Sequence, residues 1–280
     1  MKRTRRVFLY TVAGLAVAAT LLPVYWMVNI ALTPQGEILS YPPAFVPSHP
    51  TLGNLSEVIV GTGGSGMARD GLKYAINSLI VATCSTILAL ILGSFAAYGL
   101  ARWKSKWSDR ISMWILSTRM FPPAATVIPI YLAFVWVGLT DKHVGLIIAY
   151  VAYNLPFVTW MMRGFFRAIP PELEEAARVE GCSNVKAYFH VALPLVRPGL
   201  AVAGLFAFVF AWNEFLFAVV LTQMRSPTIP LQMASYQGVK GMIWGSIMAA
   251  AIVASVPGIL LAFVAQKHLI KGLTLGGVKG

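Results

Sequence analysis

Six stretches of the chain stay apolar for about the length a helix needs to cross a bilayer's hydrocarbon core, roughly 20 residues. They cover residues 7–31, 74–101, 111–137, 144–166, 199–221 and 245–265, and polar segments separate them. The second is the cleanest, with no charged residue from Tyr74 to Ala101. The first follows Lys2, Arg3, Arg5 and Arg6 and carries Ala16-Val17-Ala18, as a cleaved signal peptide would. Its apolar run continues to Ala31, however, which is too long for a signal core. The pattern predicts an all-α integral membrane protein with six transmembrane helices in one domain over residues 1–280. Its parts are a first span (7–31), an extracytoplasmic loop (32–73), a five-helix region (74–265) and a tail (266–280).

Prolines recur inside the spans, at Pro23, Pro122, Pro123, Pro129, Pro156 and Pro257. Each removes a helix hydrogen bond, which a bilayer tolerates only where neighbouring helices or water satisfy the freed carbonyl. Bent helices packed around a cavity would need such residues. Small residues at the end of the second span (Gly93, Ser94, Ala96, Ala97, Gly99) fit ordinary close packing of helices.

Composition agrees with the pattern. Hydrophobic residues make up 58% of the chain and charged ones 11%, and mean hydropathy is +0.72. This excludes an ordinary soluble protein and leaves no room for a separate catalytic domain. The net charge of +12 does not form a continuous face, which argues against a nucleic-acid partner. Sixteen of the 22 Lys and Arg residues lie at the N-terminus, in 102–110, in 163–197 and after 265. The opposite loops hold Arg69, Lys73, Lys142, Arg225 and Lys240. The positive-inside rule then puts both termini in the cytoplasm. Cys84 and Cys182 suggest neither a metal site nor a disulfide framework.

The most informative polar segment is the cytoplasmic loop 169–198. Pro171 suits the first position of a helix, and Glu172, Glu174 and Glu175 follow where carboxylates favour the helix dipole. Gly181 stops that helix. Ser183 or Asn184 can cap a second, running to about Val191, and Pro194 and Pro198 close the unit. Leu173, Ala176 and Ala177 share one side of the first helix, and the four-residue spacing of Glu174 and Arg178 allows a pair. On the second, Val185, Tyr188 and Phe189 share a side opposite Lys186 and His190. Two readings follow: an apolar-tipped knob that docks in a partner's groove, or a loop held on the lipid interface by Tyr188 and Phe189.

Glu175-Ala176-Ala177, three residues, Gly181, nine residues and Val191-Ala192-Leu193-Pro194 resemble the EAA signature of permease subunits in binding-protein-dependent ABC importers. Val191 stands where isoleucine is commoner. Asn77-Ser78-Leu79, Ala96–Arg102, Phe121-Pro122-Pro123, Ile128-Pro129 and Trp212-Asn213-Glu214-Phe215 are similar to carbohydrate-importer permeases, nearest to the maltose-type second permease. The resemblance implies a type I importer permease fold in a prokaryotic inner membrane. It implies a second permease subunit, two ATP-binding cassette subunits and an extracytoplasmic solute-binding protein as partners. The loop would be the coupling helix, with Glu175, Ala176, Ala177, Gly181, Leu193 and Pro194 as its contact motif. ATP and Mg would sit on partner subunits, and this chain would bind no cofactor.

Ionisable groups at membrane depth are functional suspects. Arg119 lies in the third span and Glu214 in the fifth, where they would meet only if the spans are offset or tilted. With Asn154, Trp212, Asn213 and Phe215 they are candidates for a solute path that binds sugar hydroxyls and stacks on a ring. Ties between helices or support of a gate explain the same residues. The histidines (His49, His143, His190, His268) are scattered, and no zinc-protease, serine–lysine or Walker A pattern appears, so enzymatic activity is not expected. A self-contained channel or carrier would leave the EAA-type loop without a purpose. The solute itself stays open between a sugar and another small polar compound such as a polyol or glycerol phosphate. Loop 33–73, with its run Thr62-Gly63-Gly64-Ser65-Gly66, is the expected docking surface for the binding protein, its glycines a flexible tip.

Overall fold

A computed structural model describes residues 2–61, 71–238 and 241–275. The glycine run at 62–66 lies outside them. Twelve helices are described: α1 (Lys2–Leu32), α2 (Gly53–Val60), α3 (Gly71–Arg102), α4 (Lys106–Thr118), α5 (Pro123–Trp136), α6 (His143–Arg167), α7 (Pro171–Val179), α8 (Asn184–Leu195), α9 (Arg197–Trp212), α10 (Leu216–Leu221), α11 (Ile229–Ser235) and α12 (Trp244–Leu275). A short antiparallel pair joins Gln237–Gly238 to Gly241–Met242.

Helices α1, α3, α6 and α12 are each long and apolar enough to cross a membrane, and two bent pairs raise the number to six. Helix α12 runs past the expected end at residue 265. Pro23, Pro156 and Pro257 sit inside continuous helices. The apolar window of α1 is wholly exposed, as a lipid-facing surface would be.

Two expected spans are not single helices. The third is α4 followed by α5, their axes bent by 83° at residues 119–122. Pro122 and Pro123 supply no N–H and push the preceding residues out of helical geometry, and Pro123 then starts the next helix. The fifth is α9, a break at Asn213-Glu214-Phe215, then the six-residue α10. Helix α9 also meets α8 at 77°.

The chain divides into two compact units. In the first, residues 1–75 and 231–256, Ala31, Val58, Tyr236, Ala249 and Ala250 form the core. Asn54 holds the end of α1 by donating to the carbonyls of Ala31 and Thr33 at 2.9 Å each. The second unit, residues 76–230 and 257–280, is built around α3, α6, α8 and α9. Its core includes Ala97, Val158, Met162, Phe166, Tyr188 and Ala203. Gly93 fits there for a steric reason, since a Cβ would lie 2.7 Å from Val158 Cγ1 on α6. Asn77 and Ser78, at the start of α3, bind the 225–229 segment. Asn77 Nδ2 donates to Pro227 O at 2.9 Å, and Ser78 Oγ accepts from the Ile229 N–H at 2.8 Å.

Candidate functional site

Loop 169–198 folds as two helices with a sharp turn. Pro171 opens α7, as expected. At its end Gly181 takes φ +92°, a left-handed conformation that glycine adopts freely. The N–H of Cys182 bonds Ala177 O and that of Gly181 bonds Arg178 O, both at 3.0 Å, the Schellman closure. Ser183 caps α8, its Oγ accepting from the Lys186 N–H at 3.3 Å. A π-helical turn at Tyr188–Ala192 then widens α8.

The Glu174–Arg178 pair that the spacing allowed does not form. Glu174 turns inward, almost fully buried, and its carboxylate receives Arg102 Nη2 at 2.5 Å, Arg102 Nε at 3.0 and 3.1 Å, and Tyr98 Oη at 2.7 Å. The i,i+4 spacing permitted the helical pair, but a bidentate guanidinium in a sheltered site outcompetes an exposed one. Arg178 instead sits 3.6 Å from the half-exposed Glu175. Tyr188 is a second correction, because only 3% of it is exposed. It shares a 2.9 Å hydrogen bond with Ser94, stacks on Phe95 at 4.8 Å and meets Tyr98 edge-on at 5.0 Å. It belongs to the core and cannot hold the loop on lipid. The outward surface carries Leu173, Glu175, Ala176, Val179 and Val185, with Gly181 at the turn, while Leu193 and Pro194 are half-buried. Both inner anchors, Tyr188 and Glu174, reach the C-terminal half of α3.

The intramembrane candidates separate. Asn154 is fully buried and donates to Ala207 O at 3.1 Å, tying α6 to α9. Trp212 is buried and stacks on Phe208, ring centres 5.5 Å apart. Glu214 accepts from the N–H groups of Leu216 (3.0 Å), Phe217 (3.0 Å) and Ala218 (3.4 Å), so its carboxylate satisfies the first turn of α10. Asn213 is exposed and returns to Val209 O at 2.8 Å, and Phe215 is also exposed. Arg119, at the end of α4, makes no ion pair with Glu214 among the described residues. Its guanidinium carbon lies 4.1 Å from the ring centre of Phe210, 4.9 Å from Tyr153 and 5.0 Å from Phe157. It borders a cavity of about 210 Å³ with Thr118, Phe121, Thr126, Tyr153 and Phe217.

Sequence reasoning missed three clusters. Asp109 bonds Arg163 at 2.6 Å and Arg167 at 2.8 Å, joining α4 to α6. The aromatic cage around Arg119 draws on α6 and α9. Asp141, before α6, gathers the N–H groups of Gln223, Met224, Arg225 and Ser226 at 2.9–3.3 Å. Burial opposes its charge, but these donors outweigh burial and hold its carboxyl below the ordinary aspartate range. Only charge at span ends hinted at Asp109, and nothing local marked the others.

Residues 89–275 match the family described as the binding-protein-dependent transport system inner membrane component. The chain is 35% identical over 259 residues to the diacetylchitobiose uptake system permease protein DasC of Streptomyces coelicolor, covering 92% of this chain and 91% of that one. It is 32% identical over 278 residues to the trehalose/maltose transport system permease protein MalG of Thermococcus litoralis, covering 99% and 98%. A bacterial ABC transporter involved in the import of the acidic polysaccharide alginate contains a chain of the same fold. Its TM-score is 0.71 at 22% identity, over 95% of this chain and 97% of that one.

Proposed function

The chain belongs to the binding-protein-dependent transport system inner membrane components, and from that premise we propose that it is the membrane-spanning subunit of an ATP-driven importer for a sugar or oligosaccharide. The diacetylchitobiose and trehalose/maltose permeases among its relatives support carbohydrate as the cargo. With a second permease subunit it forms the translocation path. Two ATP-binding cassette subunits bind on the cytoplasmic side, where both termini lie, and an extracytoplasmic protein delivers the solute near loop 33–73.

The observation that carries this reading is the geometry of the 169–198 knob. Its EAA residues Glu175 and Ala176 face outward beside exposed apolar side chains, while Glu174 and Tyr188 fasten it to α3. An exposed, rigidly mounted helix suits helix-in-groove docking. Closure of the ATPase subunits would push the knob, and the two inner anchors would pass the displacement to α3 as a rigid-body movement. Glu175 offers an acceptor to a basic residue of the partner, and the small alanines let the helices approach closely.

Within the bilayer, Arg119 is the candidate best placed to meet solute, with Asn213 and Phe215 exposed at the α9–α10 break. Asn154, Trp212 and Glu214 serve packing and capping in this conformation.

The test is purification and reconstitution. The chain should co-purify with ATPase subunits and import labelled sugars only with nucleotide. A free-standing homo-oligomer that transports without nucleotide would overturn the reading. Asn213→Ala should reduce uptake while the complex stays assembled; unchanged uptake removes Asn213 from the path.

A further inference from the structure

We propose that the cavity at the α4–α5 break receives an acidic saccharide unit, its carboxylate or equivalent oxyanion held by Arg119. The inference rests on the importer reading above and narrows its substrate class.

The argument begins with an uncompensated charge. Arg119 lies within the third predicted span, where a bare guanidinium is costly. Three aromatic rings approach it, Phe210 nearest at 4.1 Å. Such rings stabilise a cation through its faces and leave the in-plane N–H groups without acceptors. No hydrogen bond or ion pair to this side chain is found among the described residues, and Nη1 is buried without a partner. The carboxylate that the sequence offered as its mate, Glu214, is committed to three backbone N–H groups of α10. The positive charge therefore awaits an anion from elsewhere.

The cavity beside it defines what that anion is attached to. Its volume of about 210 Å³ is smaller than the roughly 300 Å³ of the smallest drug-sized pockets and suits a single sugar ring. Among the lining side chains Arg119 is the lone charge. Thr118 and Thr126 donate their hydroxyls to Ile115 O at 2.7 Å and Pro123 O at 3.0 Å, so their oxygens remain free to accept from ligand hydroxyls. Tyr153, Phe121 and Phe217 add aromatic surface of the kind that sugar C–H faces pack against. One cation, two acceptor hydroxyls and aromatic walls together match a uronic acid or a similar anionic pyranose. The guanidinium fork would take the carboxylate by two parallel hydrogen bonds. A neutral ring would leave the charge uncompensated, and a cationic solute would be repelled.

The test uses the assembled transporter with its binding protein in liposomes, offered labelled cellobiouronate and labelled cellobiose, with other uronate-terminated and neutral oligosaccharides as a wider panel. Wild type should import the uronate-bearing sugars. Arg119→Gln should lower their uptake at least tenfold, and Arg119→Lys, which keeps the charge without the fork, should retain part of it. The same uronate should raise the melting temperature of the wild-type complex and leave that of Arg119→Gln unchanged. Import of neutral sugars alone by wild type overturns the proposal while the importer reading stands. Equal losses of neutral and acidic uptake in Arg119→Gln would also overturn it, by assigning Arg119 to gating or packing. Nucleotide-driven import of no carbohydrate would remove the sugar reading itself.

Discussion

Adjacent glutamates on α7 should fail in different ways. Glu174 has 6% of its side chain exposed and Arg102 20%, joined by a contact of 2.5 Å. Removing one partner of a buried pair costs about 3–5 kcal/mol, because the other charge is left behind. Water reaches part of Arg102, so about 2–3 kcal/mol of that loss remains. The Tyr98 hydroxyl also loses its acceptor, for about 1 kcal/mol. The two losses share partners and do not simply add, so Glu174→Ala should weaken the seating of α7 by about 3 kcal/mol. That corresponds to roughly a hundredfold rise in local opening. Glu175 and Arg178 are both about half exposed and 3.6 Å apart, and truncating such a pair costs at most about 0.5 kcal/mol.

Hydrogen exchange of the 171–196 amides in the reconstituted complex reads the difference, with uptake and ATP hydrolysis measured alongside. Glu174→Ala should accelerate exchange through α7 by about two orders of magnitude and uncouple hydrolysis from uptake. Glu175→Ala should leave exchange unchanged and lower uptake by weakening retention of the ATPase subunits. Equal exchange in both variants would refute the argument that Glu174 anchors the knob while Glu175 serves its outer contact.

Two further outcomes follow from local geometry. Gly181→Ala places a side chain at φ +92° with no neighbour within 4 Å, so only backbone strain acts, about 1–2 kcal/mol. The purified complex should melt earlier, and Gly181→Asn, which tolerates the left-handed region, should lose less. Asp141 has its folded-state carboxyl below the ordinary aspartate range, so the stability it contributes is present above the unfolded value near 3.9 and is lost as pH falls through the lower folded value. Asp141→Asn should lower stability at pH 7 by about 1 kcal/mol, discounted for solvent screening, and should flatten the acid limb of a melting-temperature profile. An unchanged acid limb would show that the four N–H groups do not hold a charge.

The apolar runs alone determined that the chain crosses a membrane, and approximately where. Transfer of a long apolar helix into hydrocarbon depends on its own residues and needs no partner. The start and stop of α7 and the cap of α8 were equally legible, because Pro171, Gly181 and Ser183 act on backbone groups within a few residues, whereas α8 runs to Leu195 rather than to the expected end near Val191. The same locality explains what stayed hidden. Pro122 and Pro123 announced a disturbance, but the 83° bend is set by what α4 and α5 pack against. Arg102 is 72 positions from Glu174, so no helical spacing could favour it over Arg178. Rings from α6 and α9 surround Arg119, and the capping role of Glu214 exists only because α9 breaks before it. Backbone conformation is decided by near neighbours, whereas the partner of a buried charge is decided by whichever helix packing brings against it. In this protein the proposed solute cavity and the anchors of the proposed coupling knob depend on the second kind of decision.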